Sequence, residues 1–90
     1  MTVLVDELAD YAHINLKPFV RAHGTRWCHL VSDESLEELH EFAAKIGLKR
    51  GWFQGDHYDL TPGMRAKAVR RGAVEVTARE LVKRRRKSER

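Results

Sequence analysis

The segment Arg26-Trp27-Cys28-His29-Leu30-Val31-Ser32 places the tightest constraint on how this 90-residue chain can fold. Alternation along an extended strand puts Trp27, His29 and Val31 on one face and Arg26, Cys28 and Leu30 on the other. Both faces carry apolar groups, so the pattern predicts a central strand covered on both sides. A helix start follows directly. Asp33 or Ser35 is the cap, and Ser35 with Glu38 fits a capping box, in which each side chain satisfies a free backbone donor. Leu36, Leu39, Ala43 and Ile46 form the apolar stripe of that helix, and Gly47 stands where a left-handed terminator belongs.

The flanking segments extend the pattern. Thr2 to Val5 reads as a first strand. Residues 6–24 carry Leu8, Ala12, Leu16, Phe19 and Val20 at loose helical spacing, broken by Pro18 and closed by Gly24, which predicts a helix over 7–16. Thr61 caps and Pro62 opens a helix running through Met64, Ala68 and Val69 to Gly72. Ala73–Val76 is a short strand, and Thr77 with Glu80 makes a second capping box ahead of a last helix bearing Leu81 and Val82. The order strand, helix, strand, helix, helix, strand, helix predicts a small single α/β domain. Its sheet is mixed or partly parallel, with three to four strands and helices packed on it. The globular domain is expected over residues 1–82, with residues 83–90 as a basic tail.

Charge separates those two parts. Residues 79–90 hold seven of the 17 Lys and Arg and two acids, a net +5, which leaves residues 1–78 at −1. Lys83, Arg84, Arg85, Arg86 and Lys87 are therefore candidates for contacting nucleic-acid phosphates, or else a solvated helix end. A lone cysteine, Cys28, cannot form an internal disulfide, which fits a reducing compartment. No apolar run approaches the roughly 20 residues of a membrane span, and Met1–Asp6 lacks the basic flank of a signal peptide. The expectation is a cytoplasmic protein without membrane contact. Open strand edges make a homodimer a reasonable partner state.

No nucleophile elbow, phosphate loop or metal-finger spacing occurs, so the chemistry must come from less regular groupings. The densest is Trp52-Phe53-Gln54-Gly55-Asp56-His57-Tyr58-Asp59. His57 and Asp59 flank Tyr58 in what reads as a loop, where side chains can converge. His29 shares a strand face with Trp27 and Val31, and His40 lies beside the apolar stripe of its helix. Packing of strand on helix can bring both imidazoles to one end of the sheet. His13 and His23 have no partner at useful spacing and read as surface residues.

Three readings of these residues stay open. His29, His40, His57 and Asp59 can bind a divalent metal, since several such ions accept neutral imidazole and carboxylate. His29 and His40 can instead be satisfied core histidines, bonded to backbone or to Asp59. Or His29, His40, Gln54, His57, Tyr58, Asp59 and Arg65 can line a polar pocket for a small anionic ligand. Trp52 and Phe53 read as capping the core; next to Lys49 and Arg50 they can also stack on bases. Cys28 reads as a small buried hydrophobe. Asp6 and Asp33, at the ends of the first two strands, would lie together if those strands were parallel neighbours.

Several of these pieces resemble one family in combination. They are Val3-Leu4-Val5-Asp6, Trp27-Cys28-His29-Leu30, Asp33, Glu38-Leu39-His40, Ile46-Gly47-Leu48, Trp52-Phe53-Gln54, His57-Tyr58-Asp59 and Gly72-Ala73-Val74-Glu75. Together they resemble the domain of unknown function numbered 4031, over the first strand and residues 26–82; residues 7–24 depart from its pattern. The resemblance implies a bacterial or phage cytosolic protein and supplies no activity. It puts weight on Asp6, His29, His40, His57, Tyr58 and Asp59. The leading expectation is a binding module whose His/Tyr/Asp cluster takes a phosphate-bearing or nucleotide-like ligand. The alternatives are a metal-dependent hydrolase or nuclease using the same cluster, and a nucleic-acid-binding accessory protein acting through its tail.

Overall fold

A computed structural model describes residues 2–11 and 24–85. The central strand is where the sequence places it. β3 (Arg26–Ser32) runs antiparallel to β1 (Val3–Val5), pairing Val5 with Leu30, and antiparallel to β4 (Tyr58–Leu60), pairing Leu30 with Tyr58. Because Leu30 is paired with both, β1 and β4 must flank β3 on opposite sides. β2 (Ala9–Asp10) takes up pairing with β3 beyond β1, at Trp27 and Arg26. Between them residues 6–8 face only residues 28 and 29, so one extra residue is accommodated beside His29. β5 (Val74–Glu75) completes a mixed five-stranded sheet, parallel to β1.

The helices begin where their caps are written. Ser35 accepts from the Glu38 N–H at the start of α1 (Leu36–Lys45), Thr61 accepts from Met64 before α2 (Pro62–Arg70), and Thr77 accepts from Glu80 before α3 (Ala78–Arg84). Each bond satisfies one backbone donor that the first helical turn leaves free. The Glu38 carboxylate does not return to Ser35, as a full capping box requires. It accepts from the Ser32 hydroxyl, whose oxygen in turn accepts from the Ser35 N–H at 3.2 Å. Gly47 takes a φ of +88° after α1, a conformation that a side chain would strain.

Strand alternation then sorts the sheet into two faces. Val3, Val5, Cys28, Leu30, Tyr58 and Leu60 pack against Leu39 and Ala43 of α1 and Ala68 of α2, forming the main core. On the other face Leu4 and Val31 meet Leu81 of α3. α3 thus covers one end of the second face, and the polar residues His29 and Asp59 occupy its other end.

Several expectations are corrected here. Residues 9–10 form a strand rather than part of a helix over 7–16; the rest of that expected helix, with His13 and His23, lies outside the described residues. The residues after Gly55 are not loop throughout, because Tyr58–Leu60 form the outer strand β4. The local signal for it, the alternation His-Tyr-Asp-Leu, is only four residues long. β1 and β3 are antiparallel, so Asp6 and Asp33 lie at opposite ends of the pair: Asp33 accepts from the Thr2 N–H at 3.0 Å and pairs with Arg84 at 2.7 Å. Phe53 packs on the core, but Trp52 is 41% exposed with the Lys49 ammonium 5.8 Å from its ring. The last helix runs to Arg84.

Leu30 joins both strand pairs and is fully buried. Leu30→Ala should destabilise the domain by about 2–5 kcal/mol, the usual cost of such a core cavity. A urea titration followed by circular dichroism measures it.

Candidate functional site

The site is a row of polar groups across three strands on the face that α3 leaves open. His29 lies in β3 directly opposite Asp59 of β4. On its other side the continuing β1 register brings Asp6 opposite His29, and the Asp6 N–H reaches the His29 carbonyl at 3.4 Å. His57 stands two residues before Asp59, so alternation returns it to the same face. The rings of His29 and His57 meet edge to face, with centroids 5.0 Å apart.

Each histidine is held from behind by a carboxylate. Asp6 is buried; its Oδ1 accepts from the His29 backbone N–H at 2.7 Å, and its Oδ2 lies 2.8 Å from His29 Nδ1. Asp56 Oδ1 lies 2.6 Å from His57 Nδ1. Nδ1–H donating to a carboxylate fixes the tautomer and leaves Nε2 of each ring turned outward. Nε2 of His57 lies 3.2 Å from Asp59 Oδ1, and the other Asp59 oxygen accepts from Gln54 Nε2 at 3.0 Å. Gln54 and Asp56 are delivered by one tight turn: the Gln54 N–H donates to the His57 carbonyl at 2.9 Å, with Gly55 at φ +92°.

Among the described residues, His29, His57 and Asp59 form a group of metal-competent side chains. One donor atom from each lies within 4.8 Å of the others. Bonds of ~2.0–2.2 Å to nitrogen and oxygen need donors roughly 3–3.5 Å apart, which His57 and Asp59 already meet at 3.2 Å. The side chains are partly open to solvent, 36% for His29, 24% for His57 and 34% for Asp59.

The other residues singled out in the sequence are placed elsewhere. His40 is not in this group: its Nδ1 lies 2.8 Å from the Tyr58 hydroxyl, on the core face, with the Phe53 ring edge-on at 4.5 Å. Arg65 is engaged by other groups, donating from Nε to the Asp6 carbonyl at 2.8 Å and pairing with Glu75 at 3.1 Å. Cys28 is buried beneath the sheet, and burial pushes its thiol up to about 12. Lys83 and Arg84 belong to α3, and Arg85 follows it; Arg86 and Lys87 lie outside the described residues. Two residues given no weight in the sequence join the site. Asp56 is masked there by its neighbours in a polar turn. Tyr11 has its hydroxyl pKa raised by burial and then by the charges of Asp6 and Asp59.

Comparison with known proteins gives one result over residues 16–88, a match to the family described as "Protein of unknown function (DUF4031)". The chain belongs to that family. The match takes in His29, Gln54, Asp56, His57, Asp59 and Arg85, and begins after Asp6 and Tyr11. The chain matches no curated protein and no solved structure.

The imidazoles of this DUF4031 protein titrate in opposite directions on the two faces. Asp6 raises the His29 pKa through its hydrogen bond, and Asp59 followed by Asp56 raises that of His57, in each case against the opposing effect of burial. Burial and then the Arg50 charge lower that of His40. A raised histidine stabilises the fold fully below its unfolded pKa of about 6.5 and loses that contribution as pH climbs through the folded value. A lowered one does the reverse, costing stability as pH falls below about 6.5. Imidazole proton titration by NMR in metal-free protein should therefore find His29 and His57 above the ordinary value and His40 below it. Asp6→Asn should bring His29 down without moving His40.

Proposed function

We propose that this protein binds a divalent metal ion through His29, His57 and Asp59 and uses it in hydrolysis of a phosphate-bearing substrate. The observation that supports the reading is the pair of carboxylates behind the pair of histidines. Asp6 and Asp56 each take an Nδ1 proton, and Nε2 of His57 lies beside Asp59. Ligating histidines almost always have such a partner, which orients the ring and raises its basicity. Two imidazoles and one carboxylate suit zinc, iron or manganese, and three protein donors leave positions for water and substrate.

Charge argues for a cation over a directly bound anion. Asp6, Asp56 and Asp59 surround the two rings, Arg65 is engaged elsewhere, and Arg85 pairs with Asp56. A phosphate would meet carboxylates unless a metal stood between them. When bound, a divalent ion would supply Lewis acidity toward a phosphoryl oxygen and lower the pKa of water. The chain's own residues hold and orient: Asp6 and Asp56 fix the rings, and Gln54 holds one Asp59 oxygen so that the other faces His57.

The nucleic-acid reading of the C-terminal basic residues finds less support, because Arg84 and Arg85 face the carboxylates of Asp33 and Asp56. Lys83 is exposed and is the described residue of that run most open to a phosphate.

Calorimetric titration of chelator-treated protein with Zn²⁺, Co²⁺ and Mn²⁺ tests the metal site. One equivalent should bind, releasing up to about two protons, with affinity rising from pH 6 to pH 8. His29→Ala, His57→Ala and Asp59→Asn should each weaken binding by at least the roughly 10–100-fold that loss of an orienting partner costs. His40→Ala should leave it unchanged. If none of the three ions binds, the site is a structural ion-pair network and the reading fails. Metal-dependent release of nitrophenol from bis(p-nitrophenyl) phosphate, stopped by chelator and by His57→Ala, tests the hydrolytic step.

A further inference from the structure

Arg85 stands just past α3, and its Nε is buried 3.2 Å from Asp56 Oδ2. The approach is close enough for an ion pair but too far off axis for a hydrogen bond, so Coulomb attraction is what compensates this nitrogen for lost water. The same carboxylate holds His57 Nδ1 with its other oxygen. Arg85, Asp56 and His57 therefore form a chain from the end of the last helix to the metal-facing Nε2. Docking of α3 does not need this chain. Leu81 is buried against Leu4 and Val31, and Arg84 pairs with Asp33 at the far end of β3.

We propose that Arg85 is a positioning residue for the metal site, acting through Asp56 on His57. The inference rests on the metal reading above. With Arg85 on Oδ2, the Asp56 carboxylate is fixed so that Oδ1 meets Nδ1 and the ring presents Nε2 beside Asp59. Without Arg85 the carboxylate is free to rotate, and the ring of His57 loses its fixed direction. The last helix thus contributes to the site without touching the ion.

The test is a Co²⁺ titration of metal-free, full-length protein, read by calorimetry and by the visible d–d absorption of the bound ion. It compares wild type with Arg85→Gln, Arg85→Lys and Arg84→Gln, each checked by circular dichroism and thermal melting. Arg85→Gln should bind Co²⁺ about 10–100-fold more weakly, with an altered d–d spectrum, as when the partner behind a ligating histidine is lost. Arg85→Lys, which keeps the charge, should recover most of that loss. Arg84→Gln, which removes a helix-docking ion pair remote from Asp56, should bind within about threefold of wild type. Equal losses in Arg84→Gln and Arg85→Gln would overturn the proposal, since the effect would then be helix docking. Wild-type affinity in Arg85→Gln, or its failure to fold, would also overturn it. Absence of Co²⁺ binding by wild type would instead remove the metal site itself.

Discussion

The double pairing of β3 is the constraint on which the rest of this structure depends. Leu30 is bonded into ladders with Val5 on one side and Tyr58 on the other, and it is fully buried. Its neighbour His29 is therefore fixed in register between Asp6 and Asp59, and strand alternation turns it to the opposite face. One strand thus does two jobs. Cys28 and Leu30, with Tyr58 and Leu60, build a core under α1 and α2, while on the other face Val31 joins the small core under α3 and His29 stands in a polar row. Slipping either neighbouring strand by one residue would exchange the two sets, burying carboxylates and exposing leucines.

The electrostatics follow from that geometry. Asp6 is almost completely buried, which would be costly for a lone carboxylate, yet it accepts from both the backbone and the ring of His29. His57 is held between Asp56 and Asp59 through its two ring nitrogens. On the other face His40, with the Tyr58 hydroxyl and the Phe53 edge as neighbours, has burial rather than a carboxylate as its main influence and is driven toward its neutral form.

The last helix links these features. Its cap at Thr77 and its one buried leucine set it over Leu4 and Val31, and its basic end then reaches two aspartates at different parts of the sheet. Lysines and arginines at a helix C-terminus are favoured by the helix dipole, so Lys83 and Arg84 cost little where they stand. A run that reads as a solvated tail is in part a clasp. No described helix is long and apolar enough to cross a membrane.

What the sequence determined by itself is what short-range physics writes. The capped helix starts at Ser35, Thr61 and Thr77, the glycine stop at Gly47, and the two-faced strand 26–32 are all legible because a cap or an alternation acts over a few residues. His29, His57 and Asp59 were also legible as candidates from residue type. Which of them meet was not. β4 has only three residues and β2 two, too short for a periodic signal, and β2 interrupts a spacing that reads as helical. His40 looked equivalent to His29 in composition, yet the sheet separates them onto opposite faces. Asp6 was noticed but assigned to Asp33, because strand direction decides which ends of two strands meet. Arg85 gained its place only through a contact with Asp56, 29 residues away in sequence. Tertiary structure alone decided those pairings, because a side chain's face is fixed by local backbone geometry, whereas its neighbour across the sheet is fixed by register between distant strands.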